Sequence, residues 1–446
     1  MEPQKPIAIL GGGIAGLSAG SAARDLGLPF LIFEKAEQAG GNCRTFRHDG
    51  FRFDSGAHRV HDRDAETTAR LSELLGDRLR QIHAPSQVYH REKLLAFPFK
   101  MKDLAAKLGW PFLLRAAGEV LAARLRRGGA GEDFASTEER NYGRTLARLF
   151  LLNYSEKLWG LPGKQLAVEI SGKRLAGLSL KSFLKETFLP SSRSVQHLEG
   201  SFYYPDGGIG AVSEALAGAC GPEAIRTHAE VSRVWHDGRR IQAVEIHRNE
   251  VVACSAVVST IPLDRLLQRL DPQPPADALR AAAGLRFRQL ALVAFFLDRE
   301  TVTRAATIYF PDRRFPFTRV YEPKNRSLRM APFGRTSLVA EIPYAHGDAI
   351  GSMADKKLIA LARSHLTRVG LFAEKDVLAA GVHRLADAYP VLTREAEGQR
   401  REIFAYLNGL ANLKTAGRSG TFRYLHIHDL LPEAARAVAE LRLQEN

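Results

Sequence analysis

The residues best suited to hold a cofactor stand near the start of the chain. Residues 11–16 read Gly-Gly-Gly-Ile-Ala-Gly, which contains the spacing G-x-G-x-x-G, and an acidic residue, Glu34, follows about 20 residues on. In such a turn Gly11 permits the tight bend, Gly13 lets a pyrophosphate approach the backbone, and Gly16 lets helix and strand pack closely. Glu34 would accept hydrogen bonds from adenosine ribose hydroxyls and would repel a 2′-phosphate. The pattern predicts a dinucleotide site.

The elements around this turn match what the chemistry requires. Residues 6–10 are a short apolar run typical of a strand, residues 17–26 are a small-residue stretch typical of a helix, and residues 29–33 predict a second strand. The helix N-terminus would present amide donors and partial positive charge to phosphates. The alternative, a glycine-rich turn that binds nothing, is disfavoured because strand, helix and acid all occur at the required spacing.

A second glycine turn, residues 40–45 (Gly-Gly-Asn-Cys-Arg-Thr), follows the second strand. It resembles the second flavin motif of the amine oxidase and protoporphyrinogen oxidase superfamily. Residues 50–58 resemble that group's strand and turn running up to the flavin ring. Two glycine turns with an arginine suit a long, extended cofactor, and typical NAD-binding domains lack the second turn. The resemblance therefore implies FAD.

The predicted FAD contacts are spread along the whole chain, because later segments return to the cofactor in the superfamily that it resembles. The strand around Val231 would place backbone groups against the adenine, and Thr260 lies in a Ser-Thr-Ile-Pro segment that would lead back to the flavin domain. The predicted cofactor-binding residues are Gly11, Gly13, Ile14, Ala15, Gly16, Glu34, Lys35, Gly41, Asn42, Arg44, Thr45, Gly56, Ala57, His58, Val231, Thr260, Gly417, Arg418 and Tyr424.

The order of strand-like and helix-like segments predicts an α/β fold with a discontinuous architecture. We expect a Rossmann-type FAD-binding domain with an inserted helical region and a second, sheet-containing substrate domain. The predicted segments are FAD-binding residues 1–61, a mainly helical substrate or cap region 62–200, FAD-binding residues 201–262, a substrate-binding sheet domain 263–385, and FAD-binding residues 386–446.

Charge and cysteine content narrow the classes of partner. Lys and Arg number 63 against 49 Asp and Glu, a net charge of +14, which favours an anionic substrate or a membrane surface. No nucleic-acid-binding signature is present, so no nucleic-acid partner is expected.

Cys43, Cys220 and Cys254 lie far apart without metal-site spacing, so we expect no disulfide framework, no metal site and a cytoplasmic protein. Residues 110–127 predict an apolar, arginine-rich helix: either a packed helix with a basic face or a peripheral contact with the inner membrane face.

The whole chain resembles the flavoprotein group that holds amine oxidases, protoporphyrinogen oxidases and UDP-galactopyranose mutases. Within it, the sequence is most similar to the protoporphyrinogen-oxidase-like proteins of polysaccharide clusters. The segments that carry this resemblance are residues 56–59 (Gly-Ala-His-Arg), 97–100 (Phe-Pro-Phe-Lys), 156–160 (Glu-Lys-Leu-Trp-Gly), 202–205 (Phe-Tyr-Tyr-Pro) and 388–391 (Ala-Tyr-Pro-Val).

Two segments are similar to the mutases. Residues 285–290 resemble a mutase strand whose arginine meets the substrate diphosphate, at Arg288 here, and residues 417–424 resemble their Gly-Arg turn. By resemblance, Arg418 would reach the FAD pyrophosphate and Tyr424 would hold sugar-nucleotide phosphates. The chain departs from the mutases where they carry an Asp-Met-Asp stretch, because His426 and His428 occupy this region, and Phe422 replaces their first turn tyrosine. Two histidines there remove negative charge and add titratable donors.

Three hypotheses for function remain open. The first is an FAD-dependent oxidoreductase that passes a hydride from a nucleotide- or lipid-linked sugar, or a related anionic metabolite, to flavin N5. The second is a non-redox mutase that uses reduced flavin as a nucleophile, and the third is a flavin-binding protein without turnover. The oligomeric state is left open. The candidate catalytic residues are His58, Arg288, Tyr424, His426 and His428, with the histidines as proton handlers or as packed, hydrogen-bonded side chains.

Overall fold

The computed structural model describes residues 4–125, 133–171 and 201–445. Its first layer is a five-stranded parallel sheet assembled from three distant parts of the chain. The strand Ile7–Leu10 is fully buried and contains only apolar residues, as expected of a central strand in a parallel sheet. The strands run across the sheet in the order Leu413–Thr415, Ala256–Ser259, Ile7–Leu10, Phe30–Phe33 and Ile225–Arg226. The predicted α/β fold with a discontinuous dinucleotide-binding sheet is therefore confirmed.

The two faces of this sheet pack against different layers. Ile7 and Ile9 belong to a core formed with the helices Ile14–Asp25, Gly210–Cys220 and Ile427–Glu445. The intervening residues, Ala8 and Leu10, face a second core that includes a small four-stranded sheet. That small sheet consists of Glu250–Ala253, Ile241–Ile246, Val231–His236 and Leu270–Asp271. The alternation of side chains along one strand thus holds three layers together.

A seven-stranded sheet forms the other half of the molecule. Its strand Phe287–Leu297, second from one edge, pairs antiparallel with Thr336–Tyr344 on one side and with Val377–Pro390 on the other. The strands run in the order Val377–Pro390, Phe287–Leu297, Thr336–Tyr344, Arg319–Tyr321, Thr307–Tyr309, Ser86–His90 and Lys93–Phe97. The helix Asp355–Arg368 covers one face through Leu358, Ala362 and Leu366.

The region 62–200, which we expected to be mainly helical, also contains strands. Ser86–His90 and Lys93–Phe97 form a hairpin that extends the seven-stranded sheet, and Leu79–His83 pairs with Ser201–Pro205. The hairpin turn consists of Arg91 and Glu92, both with positive φ (48° and 62°). Such turns usually carry Asn-Gly or Asp-Gly, so the sequence lacks the usual hairpin signal.

One predicted domain boundary falls inside an observed strand, and another separates strands of one observed sheet. The strand Val377–Pro390 crosses the boundary at 385/386, because its last residues still pair with Phe287 and Arg288. Leu270–Asp271 lies beyond the boundary at 262/263, yet it joins the four-stranded sheet. Strand pairing between distant segments of the chain leaves no local signal in the sequence, so it cannot be used to place a domain boundary.

The remaining helices connect and flank these sheets. Among the described residues, none is long and apolar enough to cross a bilayer. Residues 126–132, which include Arg126 and Arg127 of the predicted basic helix, lie outside the described part, as do residues 172–200. The helices not yet named are Ala65–Leu75, Met101–Leu108, Trp110–Leu125, Phe134–Leu146, Leu152–Trp159, Leu263–Arg269, Ala276–Gly284, Ala349–Ser352, Arg394–Leu407 and Gly417–Gly420, with a π-helical turn at Ala147–Leu151. The outer hairpin Thr45–His48 and Phe51–Asp54 completes the fold.

Candidate cofactor and substrate cleft

A cleft of about 600 Å³ opens where the two large sheets meet. Gly11, Glu34 and Thr260 line it, and each directly follows a strand of the parallel sheet. The cleft therefore lies at the carboxyl ends of the strands, where open α/β sheets bind their ligands. Its far wall is formed by the seven-stranded sheet, through Leu290, Tyr309 and other side chains.

The first glycine turn has the geometry that its spacing predicts. Gly11 has a φ of +97°, which favours glycine, and Gly13 precedes the helix Ile14–Asp25 without any side-chain cap. The first amides of that helix are therefore left for a ligand. Gly16 does not line the cleft, since its role is packing: a Cβ there would lie 1.8 Å from the Gly11 carbonyl oxygen.

Glu34 holds the turn and borders the cleft at the same time. Its Oε2 accepts a hydrogen bond from the Gly12 amide and its Oε1 accepts one from the Ala36 amide, both at 2.8 Å. A carboxylate has about four lone-pair sites, so these two bonds leave capacity for a ribose hydroxyl. The predicted acidic position is thus fixed by backbone before any ligand binds.

The second glycine turn lies directly against the first. Gly13 and Gly40 form an isolated parallel bridge, and a Cβ on Gly41 would come within 3.1 Å of the Gly13 Cα. Arg44 lines the cleft, and its buried Nε has no hydrogen-bond partner among the described residues. A buried guanidinium nitrogen without an acceptor is costly, so this position favours an anionic or carbonyl-bearing ligand.

The turn at residues 55–58 is held by the seven-stranded sheet, through side chains that the sequence did not single out. The Ala57 amide donates to Glu341 Oε1 at 2.7 Å, and Arg319 Nε donates to Glu341 Oε2 at 2.6 Å. Arg319 also reaches the Tyr389 hydroxyl at 3.4 Å. A signal was present: Glu341 is the lone acid in the buried strand Thr336–Tyr344, and buried acids are rare unless paired.

His58 lies at the cleft wall as a neutral imidazole. Its Nε2 is 3.1 Å from the Ser55 hydroxyl. Burial, reinforced by Arg418 and Arg319, lowers the pKa of His58 from 6.5 to about 3. A group with that pKa stays neutral near pH 7, which disfavours His58 as a proton handler in the protein without its cofactor; its place in the cleft is as expected and its role stays a prediction.

The C-terminal turn brings an arginine and two tyrosines together at the cleft. The Arg418 guanidinium lies between the rings of Tyr389 and Tyr424, 5.4 and 5.2 Å from their centroids. It donates to the carbonyl oxygens of Leu425 and Ala388. Arg418 therefore holds this wall of the cleft in place. Its predicted contact with the FAD pyrophosphate would be an additional role.

Four of the predicted site residues do not line the cleft. Gly16 packs against Gly11, and Thr45 donates to Asp54 and accepts from the Gly210 amide. Arg288 is 7% exposed, donates to the Leu158 carbonyl and lies 3.8 Å from Asp348, so it does not reach the cleft as a phosphate clamp. His428 is buried under His426, with ring centroids 5.6 Å apart.

All other predicted site residues line one continuous cleft, although their roles remain predictions. They are Gly11, Gly13, Ile14, Ala15, Glu34, Lys35, Gly41, Asn42, Arg44, Gly56, Ala57, His58, Val231, Thr260, Gly417, Arg418, Tyr424 and His426. Within the described residues, no three His, Cys, Asp or Glu side chains form a group that could hold a metal ion. The lining as a whole fits FAD, because uncapped helix amides, the Gly13–Gly41 crossing and the Arg44 Nε offer donors along an extended path.

Comparison with known proteins identifies the family. The family model of flavin-containing amine oxidoreductases matches residues 14–439. The chain belongs to this family. FAD is therefore its cofactor, and the sequence interpretation is confirmed at this level. The cleft contains both glycine turns that the FAD interpretation rested on.

Individual relatives are more distant. The chain is 22% identical over 399 residues to the zeta-carotene-forming phytoene desaturase of Myxococcus xanthus, covering 76% of this chain and 72% of that enzyme. It is 26% identical over 283 residues to a carotenoid 3,4-desaturase of Haloarcula japonica, about half of each chain. These relatives support a place in the FAD-dependent oxidoreductase superfamily.

Solved structures show the same fold. A reduced UDP-galactopyranose mutase superposes with a TM-score of 0.86 at 19% identity, covering 99% of this chain and 96% of the mutase. An Exiguobacterium protein to which protoporphyrinogen oxidase activity is ascribed superposes with a TM-score of 0.76 at 18% identity, covering 99% of both chains. Such similarity shows the fold and leaves the substrate open. The narrower resemblance to proteins of polysaccharide clusters stays a prediction.

Proposed function

We propose that this flavoprotein is an oxidoreductase that removes a hydride from an anionic substrate, of the class of lipid- or nucleotide-linked sugars. The observation that carries the proposal is the charge of the cleft. Nine arginine and lysine side chains line it, against three carboxylates, Glu34, Glu230 and Asp387. The FAD pyrophosphate would neutralise part of this excess. The rest favours a second anion in the same cleft.

Nearby carboxylates balance part of the positive charge that lines the cleft. Arg265 and Arg269 pair with Asp387 and Glu230 at 2.6 and 2.7 Å. Arg319 and Arg384 pair with Glu341 and Asp355 at 2.6 and 2.5 Å, two carboxylates that do not line the cleft. Arg59 donates to the hydroxyls of Ser86 and Thr307. The nine cationic residues are Lys35, Arg44, Arg59, Arg63, Arg265, Arg269, Arg319, Arg384 and Arg418. A cationic amine would be repelled by such a cleft, although the family is named for amine substrates.

The wall opposite the glycine turns suits a substrate with apolar C–H faces. Phe97, Tyr309 and Tyr389 line it, and the Phe97 and Tyr309 rings lie 5.7 Å apart. Aromatic rings in such a wall exclude water and fix the orientation of a ring or an acyl chain. Bound FAD would supply the two-electron acceptor, while these residues would position the reacting carbon.

Single-turnover flavin reduction tests the proposal. The purified holoprotein is mixed anaerobically with a UDP-sugar, a polyprenyl-phosphate-linked sugar, putrescine or a polyisoprenoid hydrocarbon, and the absorbance near 450 nm is followed. We expect bleaching by one of the sugar phosphates and none by putrescine. Bleaching by the hydrocarbon or the amine alone would overturn the proposal.

A matched pair of arginine variants tests the role of charge. Arg384 lines the cleft, whereas Arg363 lies in the helix Asp355–Arg368 beside Glu374 and does not line it. Arg384→Met is expected to raise the substrate concentration for half-maximal bleaching about tenfold, because a charge-assisted contact is worth roughly 1.5–3 kcal/mol. Arg363→Met should leave that concentration unchanged.

The mutase alternative remains as a distinct outcome. It is favoured by the fold similarity over 99% of the chain, and it is weakened by the position of Arg288 outside the cleft. Conversion of a UDP-sugar to an isomer of equal mass by the dithionite-reduced protein, with no oxidised product, would establish it.

A further inference from the structure

The outer face of the helix Trp110–Leu125 is apolar. Trp110, Leu114 and Leu121 are 69%, 70% and 61% exposed, and Ala117, between them, is also exposed. At 100° per residue these four positions fall within about 60° of one another around the helix, so they form one stripe. We call this stripe the 110–121 face.

The inner face of the same helix is already satisfied. Leu113, Ala116 and Val120 are 3–4% exposed and pack into the protein core. A surface helix of a soluble protein normally presents charged residues outward. The helix Asp355–Arg368 does so here, with Lys356 and Lys357 exposed. Among the residues that the structure describes, the apolar outer stripe of Trp110–Leu125 is exposed, and an exposed apolar stripe of this kind is typical of an interaction surface.

Exposed basic side chains occur on the helix that carries the 110–121 face and at the start of the helix before it. Lys100 and Lys102 are exposed at the start of the preceding helix, and Arg115 is 72% exposed beside the stripe. The acidic side chains nearby are already paired. Glu119 bonds Arg115 and the Thr145 amide, and Asp103 lies 2.5 Å from Lys107. Together with the chain's net charge of +14, this arrangement complements an anionic surface.

The 110–121 face also lies close in sequence to the cleft. Phe97 and Pro98 line the cleft, and only the short helix Met101–Leu108 separates them from Trp110. The Phe99 ring contacts both Phe97 and Phe150. A partner surface bound to this helix would therefore lie close in sequence to Phe97, which is part of the aromatic wall of the cleft.

We propose that the 110–121 face docks on anionic lipid bilayers, as an interfacial helix that inserts its apolar stripe while the flanking lysines and arginine meet the headgroups. An exposed Trp with leucines on one side and basic residues around them is the composition of a membrane-interface helix. Docking does not depend on the substrate proposed above, because it rests on surface residues alone.

Vesicle flotation tests the docking. The full-length holoprotein is mixed with vesicles of 70% phosphatidylcholine and 30% phosphatidylglycerol, or of phosphatidylcholine alone, at 0.1 and 0.5 M salt. We expect binding to the anionic vesicles, weakened by salt, and a blue shift of tryptophan emission that is lost in Trp110→Phe. Leu114→Glu/Leu121→Glu should lower the partition coefficient at least about tenfold, because it replaces two apolar side chains of the inserted stripe by charged ones.

A matched control separates the stripe from added negative charge. Val251 and Leu443 are 60% and 76% exposed on other surfaces, so Val251→Glu/Leu443→Glu adds the same two charges elsewhere. This control should float with the vesicles nearly as well as the unmodified protein, and both variants should keep the flavin spectrum.

Three results would overturn the proposal. The first is equal vesicle binding by both double variants. The second is a lipid-free dimer that dissociates in Leu114→Glu/Leu121→Glu, as measured by sedimentation, because the occupant would then be a second copy of the chain. The third is protection of Trp110 from acrylamide quenching in the lipid-free monomer, because the face would then be covered by the chain itself.

Discussion

The two walls of the cleft are built on different principles. The wall formed by the glycine turns depends on backbone atoms that meet closely, as where the Gly13 and Gly41 backbones cross. The wall formed by the seven-stranded sheet depends on buried side chains, above all the pair of Arg319 and Glu341 that holds the Ala57 amide. The glycine turns are sensitive to added side-chain atoms, whereas the sheet wall is sensitive to the loss of one charge of this pair.

The difference explains where each wall is sensitive. A backbone crossing fails when a Cβ is introduced, and it makes no use of side-chain chemistry. A buried ion pair fails when one partner is removed, because the remaining charge stays in a medium of low dielectric. Substitutions at the glycines of the first wall should therefore act through sterics, and substitutions at the buried ion pair of the second wall through electrostatics.

The largest effect is expected at Gly16. A Cβ would lie 1.8 Å from the carbonyl oxygen of Gly11, so one of these two backbone segments would have to shift. Since the whole stability of a domain is about 5–15 kcal/mol, Gly16→Ala should yield no soluble holoprotein. Gly218, a helical glycine with nothing within 4 Å of its Cβ position, is the control. Gly218→Ala should raise the free energy of unfolding by about 0.5–1 kcal/mol. A folded, yellow Gly16→Ala protein would contradict the steric account.

The next effect is expected at Glu341. Glu341→Gln leaves Arg319 as an unpaired buried charge, which should lower the free energy of unfolding by about 3–5 kcal/mol in urea titrations. The exposed pair of Arg226 and Glu250, at 2.6 Å, is the control, and Glu250→Gln should have a far smaller effect because solvent screens that pair. Equal losses in the two variants would show that the buried pair does not hold the second wall.

Replacing both partners separates stability from positioning. Arg319→Met/Glu341→Met removes both charges, and such exchanges are often neutral for stability. It also leaves the Ala57 amide without its acceptor. The double variant should therefore regain most of the urea resistance and still show an altered flavin absorption spectrum. A normal spectrum would mean that this amide is positioned by other contacts.

The sequence predicted the wall formed by the glycine turns better than the wall formed by the seven-stranded sheet. The first turn, the second turn and Glu34 were predictable, because each is a local pattern in which spacing alone specifies the backbone. Arg319 and Glu341 were not, since 22 residues separate them and only strand pairing brings them together. The same holds for Arg288: resemblance identified its strand, but in the structure its side chain donates to the Leu158 carbonyl and does not line the cleft, so its role stays a prediction.

A moderate effect is expected at Arg44. Its Nε is buried without an acceptor beside the cleft, so FAD should supply one. Arg44→Met should raise the dissociation constant of FAD about tenfold to a hundredfold, because hydrogen bonds to charged groups contribute roughly 1.5–3 kcal/mol. Arg47, exposed on the same hairpin, is the control, and Arg47→Met should bind FAD normally. Unchanged affinity for FAD in Arg44→Met would show that the Arg44 guanidinium does not contribute to FAD binding.

The smallest effect is expected at His58, where the two walls meet, and it depends on pH. The pKa of His58 falls from 6.5 to about 3 on folding, so between these values the unfolded chain binds a proton that the native protein does not. Stability contributed by neutral His58 is therefore present above pH 6.5 and is lost as the pH falls. Between pH 7 and pH 5 the loss should be about 1–2 kcal/mol, allowing for the cleft's access to solvent. His58→Gln should remove this part of the pH dependence of urea unfolding, whereas exchange of the exposed His346 to Gln should not. If the two variants follow the same pH profile, His58 accepts protons near neutrality after all, and the boundary between the walls becomes the place to look for a catalytic base.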